Sequence, residues 1–92
     1  MKAVDIRESL RDELHQKSKI ERLAIGKVIQ KVQESFGQPH LHSGLGLRKL
    51  VKNYYEVRIG LKERLIFRDN PEVITFIFLG NHDDVQRFLG NI

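Results

Sequence analysis

Apolar positions recur about once per helical turn through the first third of the chain. Over residues 5–16, Ile6, Leu10 and Leu14 are spaced by four. That spacing predicts an amphipathic helix, with Asp5 as N-cap and Glu8 at its third position. Residues 1–4 add at most a short edge strand. The second stripe is longer: Ile25, Val28, Ile29, Val32 and Phe36 fall on one helical face. Ser18 and Glu21 stand ahead of it as an S-x-x-E capping box, Gly37 suits the position just past the end, and Pro39 stops continuation. Only residues 15–19 join the two helices, which favours an antiparallel hairpin.

Residues 38–46 are rich in turn formers (Pro39, Ser43, Gly44, Gly46) and read as a loop. The period then changes from about four to two. Over residues 54–59, Tyr55, Val57 and Ile59 alternate with Tyr54, Glu56 and Arg58; over residues 63–68, Leu65 and Phe67 alternate with Arg64, Ile66 and Arg68. A turn at residues 60–62 separates the two strands, and Asp69-Asn70-Pro71 makes a second. Residues 73–79 are apolar on both faces except at Thr75, as expected of a strand covered from both sides. Gly80 ends it, and Asn81 or Asp83 caps a final helix through Phe88 and Leu89. The expected fold is α+β: an N-terminal antiparallel helical hairpin packed on a small, mostly antiparallel twisted sheet of three to four strands, closed by a short C-terminal helix.

Burying Tyr55, Val57, Ile59, Leu65 and Phe67 together fixes the hairpin register. Val57 must lie opposite Leu65 and Tyr55 opposite Phe67. Arg58 then lies opposite Arg64, and Tyr54 opposite Arg68. A slip of one residue would scatter both groups. The pattern that makes a core therefore gathers three arginines and a tyrosine on one sheet face. Like charges directly opposite each other are destabilising, so the arrangement suggests that an anion binds there, with Glu56 placed to relieve part of the repulsion.

Composition sharpens this picture. The 92 residues carry 16 Lys+Arg against 12 Asp+Glu, a formal net charge of +4. That length predicts one domain over residues 1–92. With 40% hydrophobic and 30% charged residues, the chain belongs with folded rather than disordered sequences. No apolar run approaches the roughly 20 residues of a membrane span, and no apolar stretch follows the first Lys, so neither a membrane association nor a signal peptide is expected. The absence of cysteine excludes disulfides and thiolate metal sites and suits a reducing cytoplasm. From residue 48 to residue 68 there are seven bases (Arg48, Lys49, Lys52, Arg58, Lys62, Arg64, Arg68) and two acids (Glu56, Glu63). The remainder holds nine bases and ten acids, so the whole excess lies in one segment. Such a patch attracts phosphates or an acidic protein partner.

Arginine presents a planar fork that matches phosphate oxygens, and several on a stiff sheet can stabilise charge developing on a phosphodiester. RNA can be cut without a metal, because its own 2′-OH can attack the adjacent phosphate. The reaction needs a base, cations on the phosphate and an acid for the leaving oxygen. Arg58 and Arg64 supply the cations. His82, directly after the last strand and with an unperturbed pKa of about 6.5, suits either proton-transfer role. Glu56 shares the arginine face and suits a base, or a salt-bridge partner of Arg58 or Arg64. Tyr54 suits base stacking or hydrogen bonding, or an ordinary sheet surface. Arg48, Lys49, Lys52, Lys62 and Arg68 complete the candidate RNA-binding set. His40-x-His42 has the look of a metal pair, but no carboxylate or cysteine ligand is near it in the sequence, so it reads as exposed loop. No metal and no cofactor is expected.

The order of two helices, basic hairpin, apolar strand and closing Gly-x-His segment resembles the RelE/ParE superfamily of toxins from type II toxin–antitoxin systems. The carrying motifs are Leu47-Arg48-Lys49-Leu50, Tyr55-Glu56-Val57-Arg58, Glu63-Arg64-Leu65-Ile66-Phe67-Arg68 and Gly80-Asn81-His82-Asp83-Asp84-Val85. They look like the family's L-x-x-L, Y-x-x-R, Y-R-L-I-Y and G-H-R-x-x-V-Y patterns, and they span most of the chain. The resemblance implies a RelE-like fold, a cognate antitoxin, and, in the ribonuclease branch, cleavage of messenger RNA in the ribosomal decoding site. It places Arg64 at the arginine that contacts the scissile phosphate and Arg58 at a basic position on the preceding strand. It places His82 in the segment whose basic residue assists the same step, and Glu56 where the family often has a catalytic lysine. The chain departs from the patterns at three points. Glu63 replaces the Tyr before the matching arginine, Asp83 follows His82 in place of an arginine, and Gln86, Arg87 and Phe88 stand where a closing Tyr is usual. Without that phenol, proton transfer falls to His82 or Glu56.

The leading expectation is thus a translation-inhibiting toxin that acts as a metal-independent, ribosome-dependent mRNA endonuclease. The alternatives are a ParE-like, non-nucleolytic inhibitor of DNA gyrase, to which the missing Tyr points, and a catalytically inactive basic binding module of the same fold.

Overall fold

A computed structural model describes residues 2–36 and 45–92. Gly37, Pro39, His40, His42, Ser43 and Gly44, for which the sequence pattern predicts a helix end and a loop, lie outside these residues. The described chain runs β1 (Ala3–Ile6), α1 (Glu8–His15), α2 (Lys19–Ser35), β2 (Arg48–Lys49), β3 (Tyr54–Ile59), β4 (Glu63–Asp69), β5 (Val73–Gly80) and α3 (His82–Leu89). The strands form one sheet in the order β1-β5-β4-β3-β2. β1 pairs parallel to β5, and every other pairing is antiparallel.

The central hairpin takes the register its alternation dictates. Val57 lies opposite Leu65, Tyr55 opposite Phe67, Arg58 opposite Arg64 and Tyr54 opposite Arg68. One face buries Val57, Leu65, Phe67, Ile74, Phe76 and Leu79 beneath Leu10 of α1 and Ile25 and Val32 of α2. Tyr55 stacks on Phe67, and Phe36 meets both rings edge-on. The other face buries Ile66 and Ile77 beneath Val85 of α3, with Phe78, Phe88 and Tyr54 packed around them. A β-bulge lets β5 serve both cores. Ile66 pairs with Phe78 but Phe67 with Phe76, leaving Ile77 as the extra residue. The bulge resets the alternation, so Phe76 and Leu79 join the hairpin core while Ile77 and Phe78 join the α3 core.

The structure corrects several boundaries. Asp5 does not cap a helix; it lies in β1, and α1 starts at Glu8 with Arg7 as an N-cap that makes no side-chain capping bond. The cause is tertiary. Backbone N–H groups of Ala3 and Arg7 donate to the carbonyls of Glu72 and Phe76, tying the segment to β5. Ile6, Leu10 and Leu14 still serve one core, but Ile6 reaches it from a strand. The sheet has five strands because the two-residue β2 joins the edge, and β4 extends through Asp69, which the sequence pattern placed in the turn. Ser18 and Glu21 do form the capping box of α2, and Asn81 rather than Asp83 caps α3, reciprocally with Asp84. No helix among the described residues is long and apolar enough to cross a membrane.

Candidate anion-binding site

The alternation of β3 puts Glu56 and Arg58 on the α3 face, and the antiparallel pairing of β4 sets Arg64 opposite Arg58. β2 brings a further base, because Arg48 pairs with Glu56 across the edge of the sheet. Glu56 is buried, only 3% exposed. Its Oε1 accepts from Arg48 Nη2 at 3.1 Å, and its Oε2 accepts from Arg64 Nε at 2.9 Å. Such charge-assisted bonds are the strong kind. Arg58 makes no ion pair among the described residues and is exposed. Arg48, Glu56, Arg58 and Arg64, with Gly46 and Leu47, line a shallow cleft of about 260 Å³. Three guanidiniums against one carboxylate leave the cleft a surplus of positive charge, as an anion site requires.

Two glycines shape this end of the sheet. Gly46 has φ +69°, and a Cβ there would lie 3.1 Å from Arg58 Cβ, so its lack of a side chain leaves room for the arginine stem. Gly80 pairs with Arg64, and a Cβ on it would lie 2.6 Å from Asp84 Cβ. A glycine at that point lets α3 begin directly after the strand that flanks Arg64. His82 is the first residue of α3, exposed, two positions beyond Gly80, and outside the lining of the cleft.

The other candidates disperse. Arg68 shares the face of Arg64 but lies four residues further along β4, beyond buried Ile66, and its Nε is buried without a partner among the described residues. Tyr54, opposite Arg68, is half-buried and meets the Phe88 ring edge-on at 6.3 Å. Lys49 pairs with Tyr55, so the alternation turns it to the hairpin side of the sheet. Lys52 sits in the β2–β3 turn with φ 53°, a left-handed conformation unusual for a side-chain-bearing residue. Lys62 is exposed in the β3–β4 turn. Sequence reasoning missed Gly46 and Leu47, and it did not pair Arg48 with Glu56. Gly46 among the turn formers and Leu47 in the L-x-x-L motif were the available signals. No group of three or more metal-ligating side chains occurs among the described residues.

A mixed sheet with two helices on one face and a single helix on the other, opening at its basic end into an arginine cleft, defines a small α+β class. Solved structures place the chain in that class more narrowly: it shares the fold of RelE and YoeB structures. It is similar to a RelB-RelE antitoxin-toxin complex from Methanococcus jannaschii (20% identity, TM-score 0.67, covering 91% of this chain and 96% of that one). It is similar also to a YoeB dimer from Staphylococcus aureus (17%, TM-score 0.68, 88% and 97%). The isolated RelE toxin of E. coli matches over 100% of both chains at 15% identity and TM-score 0.67. No family model and no curated protein matches the chain.

Proposed function

We propose that this protein is the toxin of a type II toxin–antitoxin system and acts in the cytoplasm as a ribosome-dependent mRNA endonuclease. The observation that carries the reading is the juxtaposition of Arg58 and Arg64 across β3 and β4, in a cleft whose charge surplus suits a phosphodiester. The shared fold with RelE and YoeB toxins supports it. Arg58 and Arg64 hold the scissile phosphate and offset charge developing on it. His82, at the start of α3, donates a proton to the leaving oxygen, and water takes the proton that the attacking 2′-OH gives up. Arg48, Lys62 and Arg68 extend the contact along the RNA, with Lys52 and Tyr54 at its margins, while Lys49, which pairs with Tyr55 and points to the other sheet face, stays outside it. Neighbouring structures hold the antitoxins RelB and YefM, and an antitoxin with an acidic segment is the partner proposed here.

Inducing the gene in isolation tests the reading. Growth should arrest, primer extension should show cuts at codon boundaries, and Arg58→Ala and Arg64→Ala should each abolish both. Equal toxicity of wild type and both variants would remove the cleft from the activity. A second reading, gyrase inhibition without RNA cleavage, is favoured by one observation: α3 carries Phe88 and no tyrosine, and Phe88 is packed against Tyr54 and Phe78. Intact RNA with gyrase-linked DNA breaks would select it.

A further inference from the structure

Glu56 is the one acid among the sequence-predicted site residues, and its surroundings do not suit a proton acceptor. A general base needs an oxygen within reach of the hydroxyl it deprotonates. Here each carboxylate oxygen already accepts from a guanidinium, and the side chain is 4% exposed. The bond from Arg64 uses Nε, and its two terminal nitrogens donate no hydrogen bond among the described residues. A guanidinium is planar, so fixing it at Nε fixes the direction of the edge formed by the terminal nitrogens, the edge that binds phosphate through two parallel bonds. The same carboxylate offsets the repulsion between Arg64 and Arg58, which face each other across the strands with no ion pair to Arg58 among the described residues.

We infer that Glu56 is a positioning residue, which grips Arg64 by Nε and Arg48 by Nη2 and so aims the free edge of Arg64 into the cleft beside Arg58. The inference rests on the phosphodiester reading of the cleft and assigns Glu56 within it. The carboxylate takes no proton; it acts through Arg64. Its negative charge also weakens anion binding in the ground state, in exchange for a fixed guanidinium where charge develops.

The test is arginine side-chain NMR on the full-length protein, with inorganic phosphate as the probe. In the wild type, the Arg64 Nε–H should exchange with water much more slowly than that of Arg58. Phosphate should shift Arg58 and the terminal nitrogens of Arg64 while leaving the Nε–H bond in place. In Glu56→Gln the Nε–H protection should disappear, and phosphate should bind several-fold more tightly because one negative charge has left the cleft. In cells, Glu56→Gln should weaken growth arrest. Adding it to Arg64→Lys, which keeps the charge but not the Nε donor, should weaken arrest no further, because both changes act through one guanidinium. Wild-type exchange at Arg64 as fast as at Arg58 would overturn the inference without any variant. Additive effects on growth arrest, or its restoration to Glu56→Gln by added acetate, would make Glu56 a base and overturn it also. Phosphate that moves neither arginine would instead remove the phosphodiester reading, while the exchange data still decide whether the grip exists.

Discussion

Arg58 and Arg64 face each other but carry unequal structural weight. Arg64 has an 18% exposed side chain and is bonded to a buried carboxylate, whereas Arg58 is exposed and makes no ion pair among the described residues. Arg64→Ala leaves Glu56 with Arg48 alone, whose side chain is 62% exposed. An under-satisfied buried charge costs about 1–3 kcal/mol, so the urea midpoint of Arg64→Ala should fall clearly. Arg58→Ala removes an unpaired charge and a like-charge neighbour, and its stability should stay within about 0.5 kcal/mol of wild type. Equal losses in the two variants would place Arg58 inside the ion-pair network. Arg58→Ala is therefore the cleaner probe of activity. The site was legible as far as parity reaches: the two-residue period of β3 and β4 alone puts Glu56, Arg58 and Arg64 on one face. Arg48 was not legible as a partner of Glu56, because two residues of β2 are too few to show a period. The separation of Arg68 from the cleft depends on α3 and buried Ile66, which local alternation does not report.

At the scale of single elements, α2 shows how a cap couples to pH. The Ser18 hydroxyl accepts from the Glu21 backbone N–H, and the Glu21 carboxylate reaches back to the Ser18 hydroxyl and N–H. The hydrogen bond from the Ser18 side chain, then that from its backbone, with a smaller contribution from the Lys17 charge, holds the Glu21 carboxyl below its ordinary 4.5. A carboxyl with a lowered folded-state pKa stabilises the fold above its unfolded value, and that contribution disappears as pH falls through the folded value. Ser18→Ala should cost about 1 kcal/mol near neutrality, and its deficit against wild type should shrink as pH drops below the ordinary 4.5 and through the lowered folded value. Thermal unfolding at a series of pH values checks this; a deficit independent of pH would mean that Glu21 adds nothing to the cap. This box was readable because S-x-x-E is a local signature. The start of α1 was not, because a spacing of four between Ile6 and Leu10 fits both a continuous helix and a strand feeding a helix. Only the pairing of β1 with β5, some seventy residues away in sequence, decides between them. The bulge at Ile77 was equally hidden: a strand apolar on both faces carries no alternation to interrupt.

Over the whole molecule, the two sheet faces divide the work. The hairpin face carries the larger core, while the α3 face carries the second core and, at the end where α3 begins, the cleft. The local excess of +5 therefore does not coat the protein. It is split by strand parity into bases on the α3 face, such as Arg58, and bases turned away from it, such as Lys49. That division makes a prediction no single residue carries. Binding of single-stranded RNA releases counterions, and the logarithm of affinity falls with the logarithm of salt by about 0.7 for each phosphate neutralised. Arg58→Ala should lower that slope by about 0.7, whereas Lys49→Ala, although it removes the same charge, should leave it unchanged. Fluorescence anisotropy of a labelled RNA oligonucleotide over a salt series measures both. If the two variants lower the slope equally, the protein binds RNA through its net charge, and the face that the register defines has no special part in recognition.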